Sequence, residues 1–256
     1  MDSPNLNELR VIGLPPLPEV RAGDDLARQI GDAIDASGLG LIDGDILVVT
    51  HKIASKAEGR LVSLNAFEPS DLASRFADAW GKDARQVEAA LREATRVVRM
   101  DRGVLIAETR HGFICANAGV DASNAAEERV CLLPIDPDLS AGTIRDELRR
   151  RFGVDPGVII SDSFGRPWRN GIVNVAIGVS GLAPLADYRG LTDGAGYELH
   201  VTVIAVADEL ASAAELVMHK LEQRPVALIR GYRPPTASPE GTGSDLVMPP
   251  ERNFFP

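Results

Sequence analysis

Leu26, Ile30 and Ile34 recur at four-residue spacing, with Asp24 and Asp25 ahead of them and Gly38 behind, which predicts a helix over 23–38. The run 45–50, DILVVT, reads as the strand that follows. Gly38 and Gly40 precede that strand, whereas a dinucleotide loop follows one, so they read as turn glycines. Two more helical patterns fall near 70–80 and 83–93. Short alternating or apolar runs come next at 97–101, 104–109 and 113–118, and Asp101-Arg-Gly103 and Arg110-His-Gly112 punctuate them as hairpin turns. A helix over about 140–152 leads into an apolar strand at 157–160, and a further strand-like run is 174–180. Leu210, Ala213, Ala214, Val217 and Leu221 mark one face of a last helix, with a strand at 226–229 behind it. These elements predict an α+β or mixed α/β fold with an antiparallel component from the central hairpins. No repeat or linker interrupts the chain, so a single domain is expected over 1–233. The tail 234–256, rich in Pro, Gly and Ser, is expected to be extended or loose.

At 256 residues the chain can bury a substantial core. Its net charge of -10 argues against a nucleic-acid partner or an anionic membrane surface, both of which need a basic field. A small anionic ligand would instead need basic residues gathered locally. The opening MDSPNLNELR has no basic stretch followed by an apolar block, and no run approaches the ~18 apolar residues of a membrane span, so a cytoplasmic protein is predicted. Cys115 and Cys131 have no paired spacing and read as small buried hydrophobes.

Candidate chemistry gathers after three apolar strands. SDSFGRPWRNG at 161–171 follows the run 157–160. There Asp162, at the expected strand end, and Ser163 beside it suit a hard cation such as magnesium, which bridges to phosphates. Arg166 and Arg169 present forked donors, and Gly165 and Gly171 permit close approach. The plain alternative is a turn cap with solvated arginines. NAGVDASN at 117–124 offers Asp121 as a second metal ligand, with Ser123 and Asn124 as neutral hydrogen-bonding groups; alone it reads as an Asx turn or helix cap. THKIASKAEGR at 50–60 places Lys52, Lys56 and Arg60 four residues apart, a local basic cluster or else a solvated helical turn. Together the three segments suit metal plus polyphosphate. No GxxxxGK[ST] loop is present, and His51, His111, His200 and His219 lack ligand spacing.

GLPP at 13–16, AGDDLA at 22–27, SKAEGR at 55–60, NAGVDASN, SDSFGRPWRNG, AIGVSG at 176–181 and VADE at 206–209 are collinear and span about 10–232. In these stretches the chain resembles the coenzyme F420-0:γ-L-glutamyl ligase family. The resemblance implies an intertwined α/β homodimer, here as a stand-alone ligase domain, acting on small molecules: F420-0, L-glutamate and GTP. It implies two divalent sites for magnesium or manganese and leaves room for K+. By the same resemblance Asp121 and Asp162 hold the first metal, and Ser163 serves the second where relatives commonly have Thr. Lys56 and Asn124 would contact the nucleotide, and Leu14, Pro15, Pro16, Leu17, His51 and Lys52 would line its pocket. Where some relatives have a glycine-rich loop with an acidic metal ligand, this chain reads MHKLEQRP at 218–225, and Glu222 is the replacement ligand.

The implied reaction starts with attack of the acceptor carboxylate on the γ-phosphate, giving an acyl phosphate. The amine of L-glutamate then displaces phosphate and leaves an amide. Lys56, Arg166 and Arg169 would offset the anionic charge. A related ligase acting on another carboxylate is the nearest alternative. A metal-dependent phosphohydrolase with an aspartyl nucleophile would want a second acid two residues after Asp162 and finds Phe164. An inactive nucleotide-binding module is disfavoured by the retention of both acids.

Overall fold

The computed structural model describes residues 7–123, 128–236 and 238–252. Strand β1 (Arg10–Gly13) precedes helix α1 (Leu26–Ser37). The Asp25 carboxylate accepts the Arg28 N–H to start α1, and Gly38 ends it at φ 69°, a conformation that costs glycine little. Strand β2 (Ile46–Thr50) passes without a loop into α2 (His51–Ala57), and β3 (Leu61–Ser63) follows. Ser70 caps α3 (Asp71–Trp80) and Asp83 caps α4 (Ala84–Glu93). Strands β4 (Ala94–Asp101), β5 (Val104–Thr109) and β6 (Ile114–Ala116) form the expected antiparallel sheet, and β7 (Arg129–Cys131) pairs with β3. Then come α5 (Pro137–Phe152), β8 (Gly157–Arg166) and β9 (Arg169–Ser180). The short pair β10 (Ala186–Asp187) and β11 (Val203–Ile204) precedes α6 (Val206–Met218) and β12 (Val226–Arg230).

The main sheet has the order β1-β12-β2-β8-β9, antiparallel throughout except for the parallel pair β2 and β8. Alternate side chains go to opposite faces. Leu47, Val49, Val158, Ile160, Val226 and Leu228 pack under α1 and α5, whereas Ile46, Val48, Ile159, Ala227 and Ile229 pack under α6. Because both faces are covered, β2 and the inner half of β8 read as unbroken apolar runs. Each fully buried aliphatic side chain there contributes about 1.5–3 kcal/mol, so the strand ends that face the site stand on a stiff base. Among the described residues no helix is long and apolar enough to cross a membrane.

Three expectations change. Strand β8 does not end near Ser161: it runs on to Arg166, because Asp162, Ser163 and Phe164 pair with Val175, Asn174 and Val173 of β9 in a hairpin that projects past the end of β2. Strand β9 accordingly starts at Arg169 rather than 174, and the turn between the strands is Pro167-Trp168, with Trp168 at φ 56°. The last helix stops at Met218, which leaves Leu221 outside it and 92% exposed. The described tail is not loose either. Gly243 is buried and donates its N–H to Asp138, Gly241 donates to the Leu182 carbonyl, and Glu240 pairs with Arg145.

Candidate active site

Thr50 at the end of β2 stands opposite Ser161 of the parallel strand β8. Beyond the carboxyl-terminal end of β2, where its pairing with β8 stops and where ligand sites of such sheets form, lies a cavity of about 480 Å³, a size suited to small molecules. The register of β8 against β9 shifts between Ile160 and Ser161, a bulge of the kind found beside active sites. From there Ser161, Asp162 and Ser163 all line the cavity. The direct passage of β2 into α2 delivers His51, Lys52 and Lys56, and the segment after β6 delivers Asp121. Asn117 and Ala118, both at φ near +50°, turn the chain between β6 and Asp121, which is then tied to Cys131 by two backbone hydrogen bonds. The two candidate acids, 41 residues apart in sequence, therefore face one cavity.

The charges are arranged in pairs. Lys52 Nζ lies 2.8 Å from Asp121 Oδ2 and donates to Ser123 Oγ at 2.7 Å. Burial pushes the Asp121 carboxyl up, but the Lys52 ammonium and the Ser123 amide and hydroxyl outweigh it and hold the group below its ordinary value. Lys56 Nζ meets Glu19 at 2.6 Å. Asp162 accepts the Ser163 N–H at 2.6 Å and stands 3.3 Å from His51 Nε2. That contact is off the line of a hydrogen bond, so His51 Nε2, in a side chain 1% exposed, has no hydrogen-bond partner among the described residues. Ser161 Oγ is buried and unpartnered in the same way. Buried polar atoms left so carry a cost of about 1–3 kcal/mol, which a bound ligand can offset.

The donors suit magnesium or manganese: carboxylates and hydroxyls at Asp121, Asp162 and Ser163 are hard oxygen ligands, with the unpartnered Ser161 Oγ beside them. Among the described residues no three His, Cys, Asp or Glu side chains gather as a metal cage. Burial pushes the thiols of Cys115 and Cys131 up to about 12 and about 11, so neither supplies a thiolate.

Other candidates fall elsewhere. Leu17 lines the cavity, but Leu14 is fully buried in the core and only its carbonyl, accepting from Arg224, looks outward; Pro15 and Pro16 are not in the wall. Arg60 lies past the end of α2 and holds Glu93 and the Leu133 carbonyl, a structural role. Arg166 and Arg169 sit at the hairpin tip, outside the cavity wall. Four residues of strand separate Asp162 from Arg166 by about 13 Å, too far to serve neighbouring charges as a tight turn would have allowed. Glu222 points to His219 and Arg224 and does not line the cavity. Asn124 lies outside the described residues. In exchange the wall contains Asn174, Glu215 and Lys220, none of them singled out from the sequence. Glu215 had a signal: past the acidic first turn of α6 it is the one acid in a run of small and apolar residues.

The sequence matches the family described as F420-0:Gamma-glutamyl ligase over residues 16–231. It is 46% identical over 253 residues to a "Coenzyme F420:L-glutamate ligase" of Methanopyrus kandleri, covering 98% of each chain. A protein of the same name from Methanothermobacter thermautotrophicus is 44% identical over 248 residues, 96% of this chain and 98% of that one. One from Archaeoglobus fulgidus is 41% identical over 240 residues, 93% of each.

Proposed function

This chain belongs to the F420-0:gamma-glutamyl ligase family, and we propose that it is a carbon–nitrogen ligase that adds L-glutamate to coenzyme F420-0 and consumes GTP. Support comes above all from one cavity at the end of β2 and alongside the middle of β8, where Asp121 and Asp162 converge with Lys52 and Lys56 beside two buried polar atoms that have no partner among the described residues. Asp121, Asp162 and Ser163 would hold divalent magnesium or manganese. Such cations, when bound, neutralise phosphate oxygens and stabilise charge that develops in phosphoryl transfer.

The carboxylate of F420-0 attacks the γ-phosphorus, GDP leaves, and an acyl phosphate forms. The amine of L-glutamate then attacks the acyl carbon, loses a proton, and expels phosphate as the amide forms. Lys52 and Lys56 change partners in this scheme, from Asp121 and Glu19 to the triphosphate, and so neutralise the approach of two anions. His51 is buried beside Asp162, with its Nε2 free to take a partner when the site is filled. Arg166 and Arg169 have no part within one chain. The homodimer belongs to the same reading, supported by exposed Trp168 and Ile172 on the projecting hairpin.

Incubating the protein with F420-0, L-glutamate, GTP and manganese, followed by mass spectrometry, tests the reading. Addition of glutamyl residues is expected; consumption of GTP without a glutamylated product would refute it.

A further inference from the structure

Most acids of the cavity stand beside a basic side chain. Glu19 has Lys56 and Asp121 has Lys52, while Asp162 lies 3.3 Å from the ring nitrogen Nε2 of His51. Glu215 differs, because its Oε2 meets only a neutral donor, Asn174 Nδ2, at 3.0 Å, and no cation pairs with it among the described residues. Asn174 is 5% exposed, and its other end is fixed as well: Oδ1 accepts the Ser163 hydroxyl at 2.7 Å. Ser163 Oγ in turn accepts from Lys220 Nζ at 2.9 Å. One hydrogen-bonded row, Lys220–Ser163–Asn174–Glu215, thus spans the wall with an ammonium at one end, a carboxylate at the other and two neutral groups between them. All four residues line the cavity.

We propose that this row is the subsite for the incoming amino acid, with Glu215 receiving the ammonium of the zwitterion and Lys220 a carboxylate. The inference rests on the ligase reading, which requires an α-amino acid in the cavity. A free α-amino acid carries both charges a few ångströms apart, and a wall with the opposite charges on a rigid neutral spacer is complementary to it. Nucleotide phosphate has no use for Glu215, since a carboxylate repels it. Glu215 also does not join Asp121 and Asp162 in a group of ligands, for no three such side chains gather among the described residues. Asn174 has the supporting role: buried and held by Ser163, it fixes the Glu215 carboxylate without neutralising it.

Calorimetric titration of the full chain with L-glutamate, in the presence of manganese and a non-hydrolysable GTP analogue, reads the subsite without turnover. Steady-state assays with F420-0 read it during turnover. Glu215→Gln keeps an acceptor for Asn174, and it is expected to weaken L-glutamate binding and raise its KM about 10- to 100-fold, the loss of one charge-assisted hydrogen bond. The KM for GTP and the affinity for manganese should not move. Lys220→Met should raise the KM for L-glutamate and narrow the preference for it over γ-aminobutyrate, which lacks the α-carboxylate. Unchanged L-glutamate affinity in both variants, or a loss of manganese affinity in Glu215→Gln, overturns the proposal. If the wild-type chain binds L-glutamate through Glu215 yet makes no glutamyl product, the ligase reading falls while the subsite stands.

Discussion

The two ends of the central sheet both bury charge, but they treat it differently. At the amino-terminal end of β2, Asp45 is 1% exposed and is fully answered: Arg230 grips it with bonds of 2.8 and 2.6 Å, and the Ile42 N–H adds a third. Arg145 nearby is likewise satisfied by Asp155, Glu240 and the Pro156 carbonyl. At the other end of the same strands, Ser161 Oγ and His51 Nε2 lack partners and Glu215 has no cation among the described residues. A saturated polar cluster holds the fold together, whereas an unsaturated one is shaped for something that arrives later. Substitutions at the first end should therefore register as stability and at the second as chemistry.

The largest effect is expected at the saturated end. Arg230→Ala strands a buried carboxylate and should cost about 3–5 kcal/mol in urea unfolding, with turnover per folded molecule retained. A loss under ~1 kcal/mol would mean that Asp45 is not held as tightly as its contacts imply. At the cavity end, Lys56→Ala removes a cation whose present partner, Glu19, is 70% exposed, so stability should barely change. Its GTP affinity should fall about tenfold by calorimetry, the size of one charge-assisted bond; an unaltered affinity would reduce the lysine to a rim ion pair.

Asp208 gives the smallest and most diagnostic effect. Its Oδ1 accepts the Ala176 N–H at 2.8 Å beside the bulge that shapes the cavity floor. Burial raises its carboxyl above the ordinary value of 3.8, more than that single amide lowers it. A raised folded-state value means that the protonated form favours folding, so this stability is complete below about pH 4 and is lost as pH rises through the folded-state value. Asp208→Asn, which keeps the acceptor, should be more stable than the wild type at pH 7 by a few tenths of a kcal/mol up to about 1, with the gain vanishing near pH 4. A gain that does not depend on pH would contradict the burial argument.

The layers were largely legible in the sequence, because periodicity reports burial, whereas the Asp45–Arg230 pair, 185 residues apart, was not. Leu26, Ile30 and Ile34 gave α1, and 45–50 gave β2 almost to the residue. Segment 161–173 was not legible as strand: its polar residues, glycines and proline have the composition of a turn, and only pairing with β9 makes it extended. Asp121, Asp162 and Lys56, which line one cavity, were singled out because each follows an apolar run closely. Asn174 and Glu215 were missed because their importance lies in a contact between β9 and α6, which no local spacing announces. Arg166 and Arg169 were misplaced for the same reason as the turn, since a hairpin carries them away from Asp162 instead of folding them back over it.

Asp162 decides whether the unsaturated end is the reacting end. The decisive measurement is glutamyl addition to F420-0 by Asp162→Asn, quantified by mass spectrometry at saturating manganese alongside its urea midpoint. The predicted result is a fall in turnover on the order of 100-fold or more, with unfolding free energy within about 1 kcal/mol of the wild type. Wild-type turnover in a folded Asp162→Asn protein would contradict it.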